Sequence, residues 1–204
     1  MTLLTICQDA AKIIGITAPS AVTSSTDTSV IQLEACVNQE GRAQVRTYTW
    51  EILIKEGSHT TVAAESQGAI TSIASDWGRF SNNTNYFRIR GGLLLMSPTP
   101  TSGESVKFEY VSKNWVDTSG GSTANADKFS GDSQTTVLEE ELIVLGVVWR
   151  FLKLKGLPYD MQFMEYKTRM QEYTNQDGAK PILRMGGPSR AILALNEPEG
   201  NYTL

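Results

Sequence analysis

The sequence contains little of the chemistry from which active sites are usually built. It has one histidine, His59, and two cysteines, Cys7 and Cys36, among 204 residues. A histidine-based metal site needs more than one imidazole, and no CxxC pair offers thiolate ligands to a structural zinc ion. The sequence also has no Walker loop, no GxGxxG turn and no GxSxG elbow. We therefore expect a protein that is not an enzyme and that holds no cofactor.

Long apolar runs and an excess of basic residues are also missing. No run approaches the length of a membrane span, and the N-terminal segment has neither a basic leader nor a clear cleavage site. Lys and Arg total 18 against 22 Asp and Glu, which gives a net charge of −4. Proteins that grip phosphates need clustered Lys and Arg, so we expect neither tight nucleic-acid binding nor membrane association. An acidic surface suits DNA that must slide past without sticking.

Apolar spacing predicts two helices in the first part of the chain. The first covers residues 3–14 and ends at Gly15, and the second is long, covering residues 29–55 and ending at Gly57. Ser29 and Gln32 fit a capping box at the start of the second helix. Gly41 falls in its apolar stripe and suggests a close helix crossing. Cys7 and Cys36 lie among apolar neighbours in these helices, so we expect buried, reduced thiols.

Two further helices are predicted near the C-terminus. The third starts near Thr136, with a capping box formed by Thr136 and Glu139, and closes at Gly156 and Pro158. The fourth covers residues 159–175. Because the link between them is short, we expect these two helices to fold back as an antiparallel pair.

The middle of the chain changes to the period of β-strands. Residues 66–74 hold a short strand, and residues 86–96 give a hairpin signal around Gly91 and Gly92, which can take the positive φ angles of a tight turn. Residues 106–110 alternate as a half-exposed strand does. Residues 117–133 are rich in Gly, Ser and Asp and are predicted to be loop.

We thus predict a mainly α fold with an inserted β region: a bundle of about four helices carrying a small antiparallel sheet. The bundle domain covers residues 1–178, with the β region at 66–116, and residues 179–204 form an extended C-terminal arm. The arm has one short apolar stretch, residues 191–195. Such a segment is either untethered or orders on a partner.

The remaining candidates for chemistry are few. His59 is predicted to lie in a loop after the second helix, where a lone histidine is usually solvated. Asp127 and Asp132 flank a polar loop and could bind calcium, although their spacing is not that of an EF-hand. The run Glu139, Glu140 and Glu141 is explained by the electrostatics of a helix start. Tyr86 to Arg90 carries two arginines, Arg88 and Arg90, too few for single-strand binding, so these side chains are expected to face solvent or a neighbouring subunit.

Three stretches carry a resemblance to a known family. They read VRTYTWEILIKEG, then YFRIRGGLLLMSPTPTSGESVKFEYVSKNWV, then FSGDSQTTVLEEELIVLGVVWRFLKLKGLPYDMQFMEYKTRM. In this order of elements the chain resembles the head–tail adaptor proteins of tailed bacteriophages, also called head completion or connector proteins. The resemblance covers residues 27–176.

The resemblance implies a virion protein made in the host cytoplasm. It implies copies arranged side by side in a ring, usually a dodecamer, which connects the portal above to tail, stopper or nozzle proteins below, with DNA passing through the lumen. It also implies a C-terminal arm that docks on the portal, and we assign Arg184, Ile192, Leu193 and Leu195 to that docking. The family has no active site to carry over.

Other functions stay open at this point. The chain could be another neck component, a stopper or a tail terminator, for which a mainly β chain is expected. It could also be a small metal-dependent hydrolase that uses Asp127, Asp132 or His59. A nucleic-acid-binding module is a further class, and the acidic composition argues against it.

Overall fold

A computed structural model describes residues 1–81, 86–121 and 123–178 of the protein. The predicted fold is confirmed: helices pack as a bundle, and small antiparallel sheets are inserted between them. The expected arm, residues 179–204, lies outside the described residues. The helices in the described part of the chain are α1 Leu3–Ile14, α2 Thr28–Thr47, the one-turn α3 Ile70–Ile73, α4 Glu140–Leu154 and α5 Asp160–Gly178.

The first helix forms as the sequence predicts. Thr2 caps its N-terminus by accepting a hydrogen bond from the Thr5 backbone N–H at 3.3 Å. Gly15 ends it in the left-handed region, at φ 84°, where residues with a side chain are disfavoured. The face that carries Ile6 and Cys7 is buried against the other helices. Both cysteines are buried free thiols, as expected.

The second helix is shorter than predicted. It begins after Asp27, whose carboxylate accepts from the Ser29 backbone N–H at 2.8 Å, so the proposed capping box at Ser29 is wrong. It ends at Thr47 rather than at residue 55. Arg79, from a distant strand, donates to the carbonyl oxygens of Val45 at 2.8 Å and Tyr48 at 2.9 Å. This guanidinium satisfies carbonyl groups that a helix end leaves without partners.

Eight strands occur in the described residues, and β1 begins inside the segment predicted to be helix. A 3₁₀ turn, Glu51–Leu53, separates α2 from β1. The strands are β1 Ile54–Thr60, β2 Ser66–Ala69, β3 Trp77–Phe80, β4 Phe87–Arg90, β5 Leu93–Met96, β6 Ser105–Ser112, β7 Val116–Asp117 and β8 Thr135–Thr136.

All pairings between these strands are antiparallel, in the orders β1-β6-β3, β2-β5-β4 and β7-β8. The hairpin β4–β5 turns at Gly91 and Gly92, with φ angles of 59° and 78°, as predicted. The predicted strand at residues 66–74 is half right, because residues 70–73 form α3. The β region therefore begins at residue 54 and not at 66. Gly57, expected as a helix stop, lies in β1 against the Phe108 ring.

Two apolar cores correspond to the two parts of the fold. The larger core joins α1, α2 and α4 and includes Trp115 and Phe129 from the segment after β6. The smaller core lies between the two three-stranded sheets and includes Leu94 and Phe108. Gly41 faces the Trp115 indole rather than a crossing helix, so the predicted helix crossing is wrong. The segment at 117–133, predicted as loop, begins with the last residue of β7 and contributes Phe129 to the larger core.

The last two helices form the expected antiparallel pair. The predicted capping box at Thr136 and Glu139 is wrong: Thr136 lies in β8, and Glu139 precedes α4 without a side-chain capping bond. Gly156 ends the α4 segment with φ 69°. Trp149 of α4 contacts Phe163 of α5 with ring centroids 5.0 Å apart, which fixes the pairing of the two helices.

Candidate interaction surfaces

The residues considered for catalysis are engaged in structural contacts. His59 lies on β1 opposite Val106 and not in a loop, which corrects the prediction. Asp132 accepts from the backbone N–H groups of Val22 at 3.0 Å and Thr23 at 2.8 Å. These bonds, chiefly the one from Thr23, hold the pKa of Asp132 below its usual range. Asp132 therefore anchors the loop between α1 and α2.

The other aspartate, Asp127, bonds to a different part of the chain. Its carboxylate accepts from Arg42 of α2 at 3.4 Å, and its backbone carbonyl accepts from the Trp115 indole N–H at 2.8 Å. Within residues 1–81, 86–121 and 123–178, no three His, Cys, Asp or Glu side chains lie where they could hold a metal ion. The arrangement of Asp127 and Asp132 is explained by loop anchoring.

One buried carboxylate at the junction of three helices was missed in the sequence. Glu40 of α2 is fully buried and accepts from Arg150 of α4 at 2.6 Å. It also accepts from the Tyr166 hydroxyl of α5 at 2.6 Å and from the Gln44 amide at 2.9 Å. Burial, followed by the negative charge of Glu40, raises the pKa of Tyr166. An acidic residue within the apolar stripe of α2 was the signal that could have revealed it.

A second buried carboxylate, Asp76, organises the sheet region. It accepts from Lys55 of β1 at 2.6 Å, and from the hydroxyls of Tyr110 at 2.7 Å and Ser112 at 2.9 Å, both on β6. Burial opposes ionisation of Asp76, but these hydrogen bonds outweigh it and hold the pKa below its usual value. Lys55 also donates to the Ala124 carbonyl at 3.2 Å, which links the sheet region to the segment after β7.

An exposed apolar patch marks one end of the α4–α5 pair. We call it the tip; it consists of Leu154, Leu157, Met161 and Met164. These side chains are 57%, 48%, 80% and 61% exposed. None of the residues of α5 is buried in this chain, although the helix is 19 residues long. Neighbouring exposed apolar side chains of this kind are typical of surfaces that bind another protein.

An acidic groove lies at the opposite end of α4. Its carboxylates are Asp9 of α1, Glu139, Glu140 and Glu141, and its apolar side is Ile13, Val144 and Leu145. Glu140 and Glu141 stand in the first turn of α4, where helix-start electrostatics predicts them. Glu141 accepts from the Tyr173 hydroxyl at 2.7 Å, and the Met1 amino group pairs with Glu140. The groove is open and has a volume of about 580 Å³.

The two arginines of β4 are exposed, as expected. Arg88 pairs with Glu65, and Arg90 lies at the turn end of the strand. The docking residues assigned to the arm, Arg184, Ile192, Leu193 and Leu195, lie outside the described residues, so that assignment stays a prediction. Among the helices of the described residues, none combines the length with the apolar content that a membrane span requires.

A comparison of the chain with protein-family models and with curated proteins finds no match.

Proposed function

We propose that this chain is a structural virion protein that forms the adaptor ring between the portal and the tail of a tailed bacteriophage. Copies pack side by side, usually as a dodecamer. The portal lies above the ring, and tail, stopper or nozzle proteins lie below it. Genomic DNA passes through the lumen without specific binding. In this proposal the chain acts by binding other proteins and presents no reacting group.

The architecture supports the proposal. The resemblance in residues 27–176 implies a helix bundle with an inserted β region, and the protein has that fold. A stopper or tail terminator is expected to be mainly β, whereas the larger core of this chain is built mainly by residues of α1, α2 and α4. The fold is therefore closer to the expectation for an adaptor than to that for the other neck components.

The observation that carries the proposal is the exposed apolar surface at the end of the α4–α5 pair. Met161 and Met164 are 80% and 61% exposed, and Leu157 is 48% exposed. Burying a fully exposed side chain of this size gains roughly 1.5–3 kcal/mol, and these partly exposed side chains gain a share of that, so a patch of several favours association with a protein partner. These residues lie in the last of the stretches that carry the resemblance.

The charge of the chain is compatible with a lumen for DNA. The net charge is −4, and like charges repel, so an acidic ring wall lets DNA slide rather than bind. Salt-dependent affinity for DNA, which basic clusters produce, is not expected.

Removal of the arm tests the portal contact. Full-length protein should bind the portal protein of the same phage, and a chain ending at Gly178 should not, while its far-UV circular dichroism and its thermal unfolding stay unchanged. Replacement of Ile192, Leu193 and Leu195 by alanine should weaken portal binding in the full-length chain, and Asn196→Ala serves as the matched control. If the truncated chain binds the portal as well as the full-length chain does, the docking role of the arm is wrong.

A further inference from the structure

A pocket lies where the last turn of α5 meets the segment between α2 and β1, and we call it the α5 pocket. It has a volume of about 280 Å³, and most of its lining is apolar: Trp50, Ile52, Val137, Leu138 and Tyr173. The Ile52 side chain is 60% exposed. A pocket that leaves such an apolar side chain uncovered is suited to hold an apolar side chain of another segment.

The end of α5 forms part of the rim of this pocket. Gln176 and Asp177 line it, and Gly178 is the last residue of the helix. The Asp177 carboxylate accepts from the Glu51 backbone N–H at 3.1 Å, which ties the end of α5 to the 3₁₀ turn. Because an extended chain advances by at most about 3.6 Å per residue, Ile182 lies within about 14 Å of Gly178. The segment that follows α5 can therefore reach the pocket of its own chain.

The α5 pocket has an acidic side chain at its rim that is free to pair. Glu139 is exposed, and no Lys or Arg side chain within residues 1–81, 86–121 and 123–178 forms an ion pair with it. Its two neighbours differ in this respect: Glu140 pairs with the Met1 amino group, and Glu141 pairs with Arg169. Glu139 is therefore the carboxylate of this acidic run that a cation from outside the described residues can approach.

Residues 180–184, which read KPILR, match the pocket in composition. A proline disfavours helical backbone at the residue before it, so we expect the helix to give way to extended chain before the proline. Alternate residues of an extended segment lie on the same side, which would group Lys180, Ile182 and Arg184 and place Leu183 on the other side. An isoleucine between two cations suits an apolar pocket with an acidic rim.

We infer that residues 180–184 occupy the α5 pocket of their own chain, with Ile182 against Ile52 and Tyr173 and a flanking cation beside Glu139. The covalent link to α5 gives the segment a high effective concentration at the pocket, which favours it over the same segment of a second copy. Because an exposed ion pair contributes little, burial of Ile182 is the main gain and the cations set the orientation.

The anchored segment fixes where the arm leaves the folded body. Arg184 then lies at the base of the arm. The anchor holds whatever the arm binds, whereas its use in presenting residues 192–195 to the portal rests on the proposed function. Ordering the segment costs conformational entropy that offsets much of the gain from burial, so the contact is measured by protection of the segment and not by the unfolding temperature.

Limited trypsin digestion of the full chain, followed by mass spectrometry, tests the anchor. Trypsin cuts after Arg184, inside the anchor, and after Arg190, beyond it, and each rate is normalised to that of the same bond in a synthetic peptide of residues 178–196. The normalised rate after Arg184 should be several-fold lower than that after Arg190. Ile182→Ser should abolish the difference, and Leu183→Ser, the matched control on the other side of the segment, should preserve it.

Charge substitutions test the rim of the pocket. Glu139→Lys should raise the rate of cleavage after Arg184 about two- to five-fold, the size of effect that an exposed ion pair gives. Glu140→Lys, one position away and outside the α5 pocket, should leave that rate unchanged. Circular dichroism establishes that each variant is folded. Equal rates for the two lysine variants would contradict the pairing with Glu139.

Disulfide trapping locates the segment on the body. Ile52→Cys combined with Ile182→Cys should give a disulfide within one chain, and the native thiols interfere little because both are buried. Thr47→Cys combined with Ile182→Cys is the control. Thr47 is exposed next to Tyr48, whose hydroxyl donates to a carbonyl oxygen of α5 at 3.1 Å, but it does not line the pocket.

Several results would overturn the anchor: equal normalised rates after the two arginines, an effect of Leu183→Ser as large as that of Ile182→Ser, or a disulfide yield no higher than that of the Thr47→Cys control. Disulfides between chains would also overturn it, since the segment would then occupy a second copy. An anchored chain that does not bind the portal would refute only the proposed function, and portal binding by a chain without the anchor would refute only the anchor.

Discussion

The helix bundle and the sheet region each contain a buried carboxylate, but the two carboxylates differ in what they hold together. Glu40 is fully buried and joins α2, α4 and α5, around which a large apolar core is packed. Asp76 is 9% exposed and joins β1 to β6 at the edge of a much smaller core. The bundle therefore has the larger apolar core of the two, whereas the sheet region depends more on polar bonds.

Removal of the Glu40 carboxylate should give the largest effect. Glu40→Ala leaves Arg150, only 17% exposed, without its anion and leaves the Tyr166 hydroxyl without its acceptor. Breaking a buried ion pair by deleting one partner costs ~3–5 kcal/mol. Urea denaturation followed by circular dichroism measures the loss. Gln39→Ala, at the exposed neighbouring position, should change the stability by less than about 0.5 kcal/mol. Similar small losses for both variants would contradict the role assigned to Glu40.

Asp76→Asn should have a smaller effect, centred on the sheet region. The neutral amide loses the charge-assisted bond from Lys55, which is worth ~1.5–3 kcal/mol. Amide hydrogen exchange should speed up in β1, β3 and β6 more than in α2 and α4. Equal acceleration in the bundle helices would show that the two regions unfold as one unit, which would contradict a separate role for Asp76 in the sheet region.

The same variant gives a pH test. The pKa of Asp76 lies below its ordinary value of 3.8 in the folded chain, so the ionised carboxylate stabilises the fold above that pH. This contribution is lost as the pH falls through the folded-state pKa. The difference in unfolding free energy between wild type and Asp76→Asn should therefore be largest near neutral pH and shrink below pH 3.8. A difference that grows on acidification would have the wrong sign.

Gly41→Ala should destabilise the bundle by about 1 kcal/mol. Alanine gains roughly 1 kcal/mol in helix propensity, but overpacking costs typically 1–3 kcal/mol. The added methyl group would overlap the Trp115 indole, which is fully buried and held by its bond to Asp127. Ala35→Gly, at an exposed position of α2, reports the propensity term alone. Thermal unfolding of both variants measures the two effects. A Gly41→Ala chain more stable than the wild type would show that the indole can move.

The smallest effect is expected at the tip. Met161→Gln and Met164→Gln should change the unfolding free energy by less than about 0.5 kcal/mol, because both side chains are mostly exposed. Calorimetry of the two variants checks this. A loss comparable to that of Asp76→Asn would mean that the tip supports the fold of a single chain and does not serve as a free surface.

Local sequence signals predicted the elements that are fixed by local physics. Caps, turns and apolar spacing act over a few residues, so the sequence alone predicts three elements. These are the first helix, the β4–β5 hairpin at Gly91 and Gly92, and the antiparallel α4–α5 pair. The residue at which α2 ends could not be predicted from the sequence. Tyr48 and Ile52 continue the apolar spacing, which predicts a longer helix. The helix ends earlier, where the Arg79 guanidinium donates to the carbonyl oxygens of Val45 and Tyr48.

The candidate surfaces depend on contacts that the sequence does not reveal. Glu40 and Arg150 are 110 residues apart in the chain, and only the fold brings them together. Gly41 is predicted from the sequence to mark a close helix crossing, but its neighbour is an indole from the segment after β6 and not a helix. The run Glu139, Glu140 and Glu141 is explained in the sequence by the dipole of α4, which gives no reason to expect that these carboxylates line a groove with α1.

Cryo-electron microscopy of the purified phage neck would show directly whether this chain forms the ring. Density for the helix bundle and its inserted sheets should repeat around a closed ring between the portal and the tail. Density for this chain at any other place in the particle, or a turnover reaction traced to the purified protein, would contradict it.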